Sequence, residues 1–152
     1  MKYLLLLVFV PLMSAYSAEE PQNFLKRCYR KEYSEKQKST KAMTFAVYEN
    51  IDGDMFGTLQ VEFKNTNGPT KGLAHLTCTS EKENLHCKST DDGGKVSFVD
   101  EGGKGVLKIE DPVALKVYSS YFPNKHSVSR LPANASVKLE MGIANACEKL
   151  VE

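Results

Sequence analysis

The strongest constraint in this sequence is a long stretch, from position 43 to position 109, in which apolar and polar residues alternate. Leu59 and Val61, for example, alternate with Gln60 and Glu62. A period of two is typical of strands that bury one face, and turns rich in Gly, Asp and Asn separate the runs. With two later runs included, the pattern predicts about eight strands, at positions 43–48, 58–64, 74–79, 85–88, 95–99, 106–110, 113–118 and 137–141.

Eight short strands joined by tight turns predict an antiparallel meander that curls into a small barrel or a sandwich. A parallel sheet is excluded in this region because no connection is long enough to hold a crossover helix. The side chains predicted to point inward carry no charge, and barrels of this size either fill their interior or hold one apolar ligand there. The inward set is Phe45, Val47, Leu59, Val61, Phe63, Leu76, Val96, Phe98, Leu107 and Ile109.

The two ends of the chain show a different period. Their apolar residues recur three and four positions apart, which is typical of one face of an α-helix. We therefore expect a short helix at each end of a mainly β domain. The residues concerned are Phe24, Leu25, Cys28, Tyr29 and Tyr33 near the N-terminus, and Ile143, Cys147, Leu150 and Val151 near the C-terminus.

The first 17 residues have the composition of a secretory signal peptide. Lys2 supplies a positive start, positions 3–13 are apolar, and small residues flank Tyr16 at the expected cleavage point. The apolar run of 11 residues is too short to span a bilayer, which takes roughly 20. Removal of residues 1–17 would leave residues 18–152 as a single secreted or periplasmic domain that does not span the membrane.

The mature chain is expected to carry no net charge. The whole sequence has 20 basic and 19 acidic residues, and Lys2 leaves with the signal segment. Nucleic-acid-binding domains usually carry a basic excess, because they neutralise phosphates. The charge balance argues against a nucleic-acid partner and leaves a protein or a polymer of the cell envelope as the expected partner.

All four cysteines lie downstream of the signal segment, and exported chains meet an oxidising compartment, so we expect two disulfides. Cys78 and Cys87 flank a polar turn in alternating sequence, which places them opposite each other on a hairpin. This pairing leaves Cys28 to bond with Cys147, so that the second disulfide ties the two ends of the chain together. A metal site is the weaker alternative, because the spacing is not that of a CxxC motif.

The sequence shows no arrangement typical of a catalytic or cofactor site. The predicted register separates His75 from His86 by four residues on the outer face, roughly 13 Å, which is too far for a shared metal ion. No Gly-x-Ser-x-Gly turn is present. Acidic residues gather in turns at one rim, where calcium could bridge them, but their spacing matches no known calcium loop. We therefore expect no enzyme activity, no metal and no cofactor.

The connection between the last two predicted strands, residues 119–135, is the longest in the chain, with 17 residues. Loops longer than about 12 to 15 residues are usually functional or disordered. This one combines aromatic and cationic side chains, a mixture suited to recognising a protein or an anionic partner. The candidate binding residues are Tyr121, Phe122, Lys125, His126 and Arg130, and the alternative is that the aromatic pair closes the barrel end as core.

These observations predict an exported, non-enzymatic binding protein, either an inhibitor or an interaction module of the cell envelope, that uses the 119–135 loop. A lipocalin-like carrier of a small apolar ligand and an uncharacterised hydrolase are the alternatives. In layout alone the chain is similar to small exported barrels such as periplasmic lysozyme inhibitors and lipocalin-like carriers. No motif of either class is present, so the similarity implies a fold and no site residues.

Overall fold

The computed structural model describes residues 24–36, 39–64, 70–82, 84–119, 126–142, 147 and 150. The predicted signal peptide and its boundary at residues 17 and 18 lie outside these residues. Within them, no helix is long and apolar enough to cross a membrane. The strands of the described part are β1 (Phe24–Glu32), β2 (Thr40–Glu49), β3 (Met55–Phe63), β4 (Thr70–Glu81), β5 (Asn84–Ser89), β6 (Lys95–Asp100), β7 (Lys104–Ile109), β8 (Val113–Ser119), β9 (His126–Leu131) and β10 (Ser136–Met141).

Eight of these strands form a closed antiparallel barrel. Its strand order is β3-β2-β1-β10-β7-β6-β5-β4, and pairing of β4 with β3 closes the ring. The predicted antiparallel meander is confirmed for β2 to β7, where each strand pairs with the next. Between the two predicted architectures, barrel and sandwich, the structure is the barrel.

Aromatic side chains fill the centre of the barrel. The ring of Phe98 lies 4.5 Å from the ring of Tyr29 and 5.1 Å from the ring of Phe45, measured between centroids, and all three side chains are fully buried. Gly105 makes room for this cluster, since a Cβ atom at that position would overlap the Phe98 ring. Of the predicted inward set, Phe63 is partly buried and the other nine residues are fully buried in the main core.

The helix predicted around residues 24–33 is wrong, because β1 occupies Phe24–Glu32. Tyr29 points into the barrel, whereas the neighbouring Cys28 packs in a second cluster outside it. A bulge between Leu25 and Arg27 also shifts the register, so that Leu25 joins the outer cluster with Cys28. A strand buried on both faces and interrupted by a bulge therefore has apolar residues at helix-like spacing.

The second cluster covers the outside of β1 and β2. Cys147 and Leu150 pack there against Ala46 and Tyr48, and the Tyr48 hydroxyl donates a hydrogen bond of 3.0 Å to the Cys147 carbonyl. Because of this cover, β2 is buried on both faces. The described residues contain no helix, so the predicted C-terminal helix is not confirmed, and most of it, including Ile143 and Val151, lies outside them.

Both predicted disulfides are confirmed. Cys28 bonds with Cys147 across a sequence separation of 119, with Cα atoms 6.0 Å apart. Cys78 bonds with Cys87, its direct partner in the β4–β5 hairpin, and this bond faces the main core. Intramolecular disulfides of this kind are typical of proteins in oxidising compartments.

Candidate functional site

The β8–β9 hairpin leaves the closed barrel. β4 offers one edge to two strands in succession: Leu76–Glu81 pairs with β5, and Thr70–Leu73 pairs with β8. β9 then pairs with β8 and is the last strand of the sheet. The 119–135 connection was predicted as a continuous loop, and this is wrong for His126–Leu131, which forms β9. The loop prediction failed there because β9 has little apolar sequence to mark it as a strand.

The base of the hairpin is fixed by the turn between β5 and β6. One carboxylate oxygen of Asp92 accepts a hydrogen bond of 2.6 Å from the backbone N–H of Ala114, and the other accepts one from Gly94. Gly94 lies so close to the backbone of Pro112 that a Cβ atom would overlap its carbonyl oxygen. Lys116 on β8 adds an ion pair of 3.1 Å with Asp91. The turn is therefore a structural anchor for β8.

The pKa of Asp92 lies below its usual value. Partial burial raises this pKa, but hydrogen bonds from Ser89, Gly94 and Ala114, together with the charge of Arg130, outweigh it. A carboxylate with a depressed folded-state pKa stabilises the fold above its unfolded-state value of about 3.9, and this contribution is lost as the pH falls through the folded-state value. Attachment of the hairpin should therefore weaken below about pH 4.

Replacement of Asp92 by Asn tests this anchor. Asn keeps one carbonyl oxygen, so it can accept from only one of the two backbone N–H groups of Gly94 and Ala114, and it lacks the charge. We expect a loss of about 1.5 to 3 kcal/mol in the free energy of unfolding at pH 7, and a difference from wild type that shrinks below about pH 4. Urea unfolding at a series of pH values measures both.

Asp91→Asn is the matched control for this change. It breaks only an exposed ion pair with Lys116 and should cost less than about 1 kcal/mol. Equal losses in the Asp91 and Asp92 variants would contradict the anchoring role of Asp92.

The structure describes two of the five predicted binding residues. Arg130 lies on β9 with its side chain 65% exposed and a guanidinium nitrogen 3.9 Å from Asp92. His126 is the first residue of β9. The other three, Tyr121, Phe122 and Lys125, lie outside the described residues. The structure thus puts His126 and Arg130 on one strand, β9.

Sequence reasoning missed Val128, which is 62% exposed on β9 between those two residues. Val128 pairs with Lys116, and Arg130 pairs with Ala114, so the four side chains share one face of the hairpin. The alternation of residues 126–131 could have indicated a strand, but only weakly in a segment with two apolar residues. An exposed valine flanked by cations on an edge strand is a surface suited to a second chain.

A groove of about 890 Å³ lies along the seam between β1 and β10. These two strands pair only at Tyr29–Met141 and Arg30–Glu140. Arg30 is held by Glu62 at 3.1 Å and by the Thr44 hydroxyl at 2.9 Å, so its charge is already neutralised inside the protein. Apart from Arg30, the groove walls carry equal numbers of cations and anions, with Lys31, Lys104 and Lys138 against Glu32, Glu101 and Glu140.

Tyr29, in the barrel interior, has a pKa well above the usual value of a tyrosine. Burial, then its 2.6 Å hydrogen bond to Asp100, raises the Tyr29 pKa to about 12. The same hydrogen bond lowers the pKa of Asp100, whose other oxygen accepts from the Gly103 N–H and closes the β6–β7 turn. The two pKa shifts keep Tyr29 neutral and Asp100 charged. Neither group is therefore poised for acid–base catalysis, and their hydrogen bond is a structural contact.

The histidines and acidic turns lie as the register predicted. Thr79 pairs with His86, and the Thr90 N–H donates to the His75 carbonyl, so the two histidines are separated along the outer face. The topology brings the turns after β2, β4 and β6 to one rim. Over the residues that the structure describes, no group of three or more His, Cys, Asp or Glu side chains is arranged to hold a metal ion.

Comparison of the chain with protein-family models, with curated proteins and with solved structures gave no match.

Proposed function

We propose that this protein is an exported, non-enzymatic binding protein that recognises a protein partner through the β8–β9 hairpin, as an inhibitor or as an interaction module of the cell envelope. One observation carries the proposal: β9 is the end of the sheet and lies outside a barrel that otherwise closes on itself. Closed barrels have no edges, so a projecting edge strand is the place where an extended segment of another chain can pair.

The side chains on the hairpin favour the same partner. Val128 is exposed on the outer face, and Arg130 lies on the same face two residues later. An exposed apolar residue next to an arginine is typical of the centre of a protein interface. Tyr121, Phe122 and Lys125, which lie outside the described residues, fall in the sequence between β8 and β9 and supply the aromatic and cationic types that suit a protein interface.

The filled interior makes the carrier hypothesis weaker. A carrier needs a cavity, whereas the rings of Tyr29, Phe45 and Phe98 are in contact at the barrel centre, and Gly105 is packed against Phe98. For the hydrolase hypothesis, no thiol nucleophile is available, since all four cysteines form disulfides. The disulfides also support export, because they persist in oxidising compartments.

Site-specific photo-crosslinking tests the proposed function. A photoreactive amino acid is placed at Val128, and at Ile51 as a control, since Ile51 is 81% exposed in the β2–β3 turn at the other end of the barrel. After irradiation in the producing cells, we expect a discrete protein adduct from position 128 and none from position 51. The adduct partner is then identified and purified.

Titration of the purified partner gives the second measurement. Alanine at Tyr121, Phe122, Lys125 and Arg130 together should weaken binding at least tenfold, because it removes the aromatic and cationic side chains of the hairpin. Ile51→Ala should leave the Kd unchanged. Adducts of equal yield from positions 51 and 128, or unchanged binding by the fourfold variant, would remove the hairpin from the proposal.

A further inference from the structure

Four lysines form a continuous line on the outer face of the barrel, on strands other than β8 and β9. They are exposed and lie one on each of four neighbouring strands. We call them the lysine stripe: Lys88 on β5, Lys95 on β6, Lys108 on β7 and Lys138 on β10.

The register of the strands aligns the stripe. Lys88 pairs directly with Lys95. Lys108 pairs with Ser97, which lies two residues after Lys95 on β6. Lys138 lies two residues after Ser136, which pairs with Lys108. One direct and two diagonal neighbours, at about 5 Å and 7 to 8 Å, give a line roughly 20 Å long. The stripe therefore crosses four strands diagonally with a lysine on each.

Most of this positive charge is not neutralised by the protein. In the described part of the chain, the only salt bridge of the stripe is the exposed pair of Lys95 with Asp111, at 3.6 Å. The exposed Glu110 also lies opposite Lys95 on the β7 side, where its N–H donates to the Lys95 carbonyl. Like charges directly opposite each other on antiparallel strands destabilise a sheet, yet Lys88 faces Lys95. The other three stripe lysines, Lys88, Lys108 and Lys138, form no salt bridge with the described residues, and this favours a ligand of opposite charge.

We propose that the lysine stripe binds a linear acidic polysaccharide, with its carboxylate or sulfate groups on the lysines. Concave surfaces border both ends of the stripe. A depression of about 380 Å³ is lined by Lys88, Lys95 and Glu110. The seam groove is lined by Lys104 and Lys138 together with Glu101 and Glu140. Lys104 lies diagonally to Lys138 across β7 and β10, and its direct cross-strand partner is Glu140, so the line of lysines ends at this carboxylate in the groove.

The side chains around the stripe favour a polysaccharide over a nucleic acid. Exposed hydroxyl, amide and imidazole groups of Thr77, Thr79, Asn84, His86 and Ser136 surround it and suit hydrogen bonding to sugar hydroxyls. Single-stranded nucleic acids need aromatic platforms on which the bases stack. The exposed aromatic side chain of the described residues, Phe56, lies on β3, away from the stripe.

Binding of a heparin-derived oligosaccharide to the full mature protein tests the proposal. The variant Lys108→Ala with Lys138→Ala is compared with Lys36→Ala and Lys71→Ala, which removes the same charge from exposed positions off the stripe. We expect the stripe variant to raise the Kd at least tenfold and the control variant to change it less than threefold. The slope of log K against log salt should fall by about one for each stripe lysine removed.

A third variant, Lys88→Glu, separates loss of binding from loss of folding. Glutamate opposite Lys95 replaces a repulsive cross-strand pair with an attractive one, so the Tm should rise by about 2 to 4 °C. The same change should weaken oligosaccharide binding at least tenfold. Reduced binding by a more stable protein excludes misfolding as the cause.

Three results would overturn the proposal: wild type that does not bind the oligosaccharide at low salt, equal losses in the stripe and control variants, or tighter binding to single-stranded DNA of matched charge. The test is independent of the hairpin, since Val128 and Arg130 are left intact.

Discussion

Replacing Cys28 and Cys147 together by alanine is expected to lower the Tm by about 15 to 20 °C. In the chain-entropy model, a disulfide that spans 119 residues restricts the unfolded chain by about 5 kcal/mol, and for a domain of this size about 4 °C corresponds to 1 kcal/mol. Loss of this disulfide also releases Cys147 and Leu150, which cover the outer face of β2. Differential scanning calorimetry of the oxidised proteins measures the change.

The matched control is the double alanine variant of Cys78 and Cys87. Its disulfide spans 9 residues and accounts for about 2.6 kcal/mol in the same model, with about 1 kcal/mol more for the gap left in the core. The Tm should therefore fall less than in the Cys28 and Cys147 variant. Burial raises the pKa of Tyr48, and release of the covering segment should return this pKa toward its usual value only in the Cys28 and Cys147 variant. The reverse order of Tm values would show that the long-range disulfide contributes little to stability.

Phe98→Ala should cost about 3 to 5 kcal/mol in the free energy of unfolding, as measured by urea denaturation. Phe98 is fully buried, and its ring contacts those of Tyr29 and Phe45 and packs against Gly105. No neighbouring backbone can move inward to fill the space inside a closed barrel. The variant should therefore contain a dry apolar cavity that binds benzene saturably, as engineered cavities of this kind do.

Phe56→Ala provides the comparison for Phe98. Phe56 is 37% exposed on the outer face of β3, and its truncation should cost about 1 kcal/mol or less. Wild type should show no saturable benzene binding, because the ring of Phe98 occupies the site. Benzene binding by wild type would instead favour the carrier hypothesis, and similar losses in both variants would contradict the central role of the aromatic cluster.

The sequence allowed the meander from β2 to β7 to be predicted, together with the register of the β4–β5 hairpin. In that region one face of each strand is apolar, so the period of two is clear. The pairing of Cys78 with Cys87 follows from the same register. Barrel membership was harder to predict. The eight predicted strands include β8, which lies outside the closed ring, and omit β1, which completes it.

Two strands were missed for opposite physical reasons. β1 is buried on both faces, because Tyr29 packs inside the barrel and Cys28 outside it, and the resulting pattern resembles that of a helix. β9 is scarcely buried at all, so it lacks a pattern. The burial of β1 and the exposure of β9 both depend on which distant segment covers the strand. The sequence of the strand itself does not show whether such a segment is present.

The candidate sites were only partly predictable for a related reason. Arg130 was identified because cations and aromatics are concentrated near it in sequence. Asp92 was visible only as a turn residue, since its bond to Ala114 connects residues 22 positions apart. The lysine stripe was not visible, because its four members come from separate strands and line up only when the register is known.

The seam between β1 and β10 also determines the order in which the molecule can be completed. Pairing from β2 to β7 joins neighbours in sequence, whereas Tyr29 must find Met141 at the far end of the chain. Until β10 has been synthesised, the sheet cannot close, and it presents the unpaired backbone of β1 and of β7 to other molecules. A chain truncated before Ser136 should therefore be prone to self-association through these two edges, while the full-length chain covers both with a single strand.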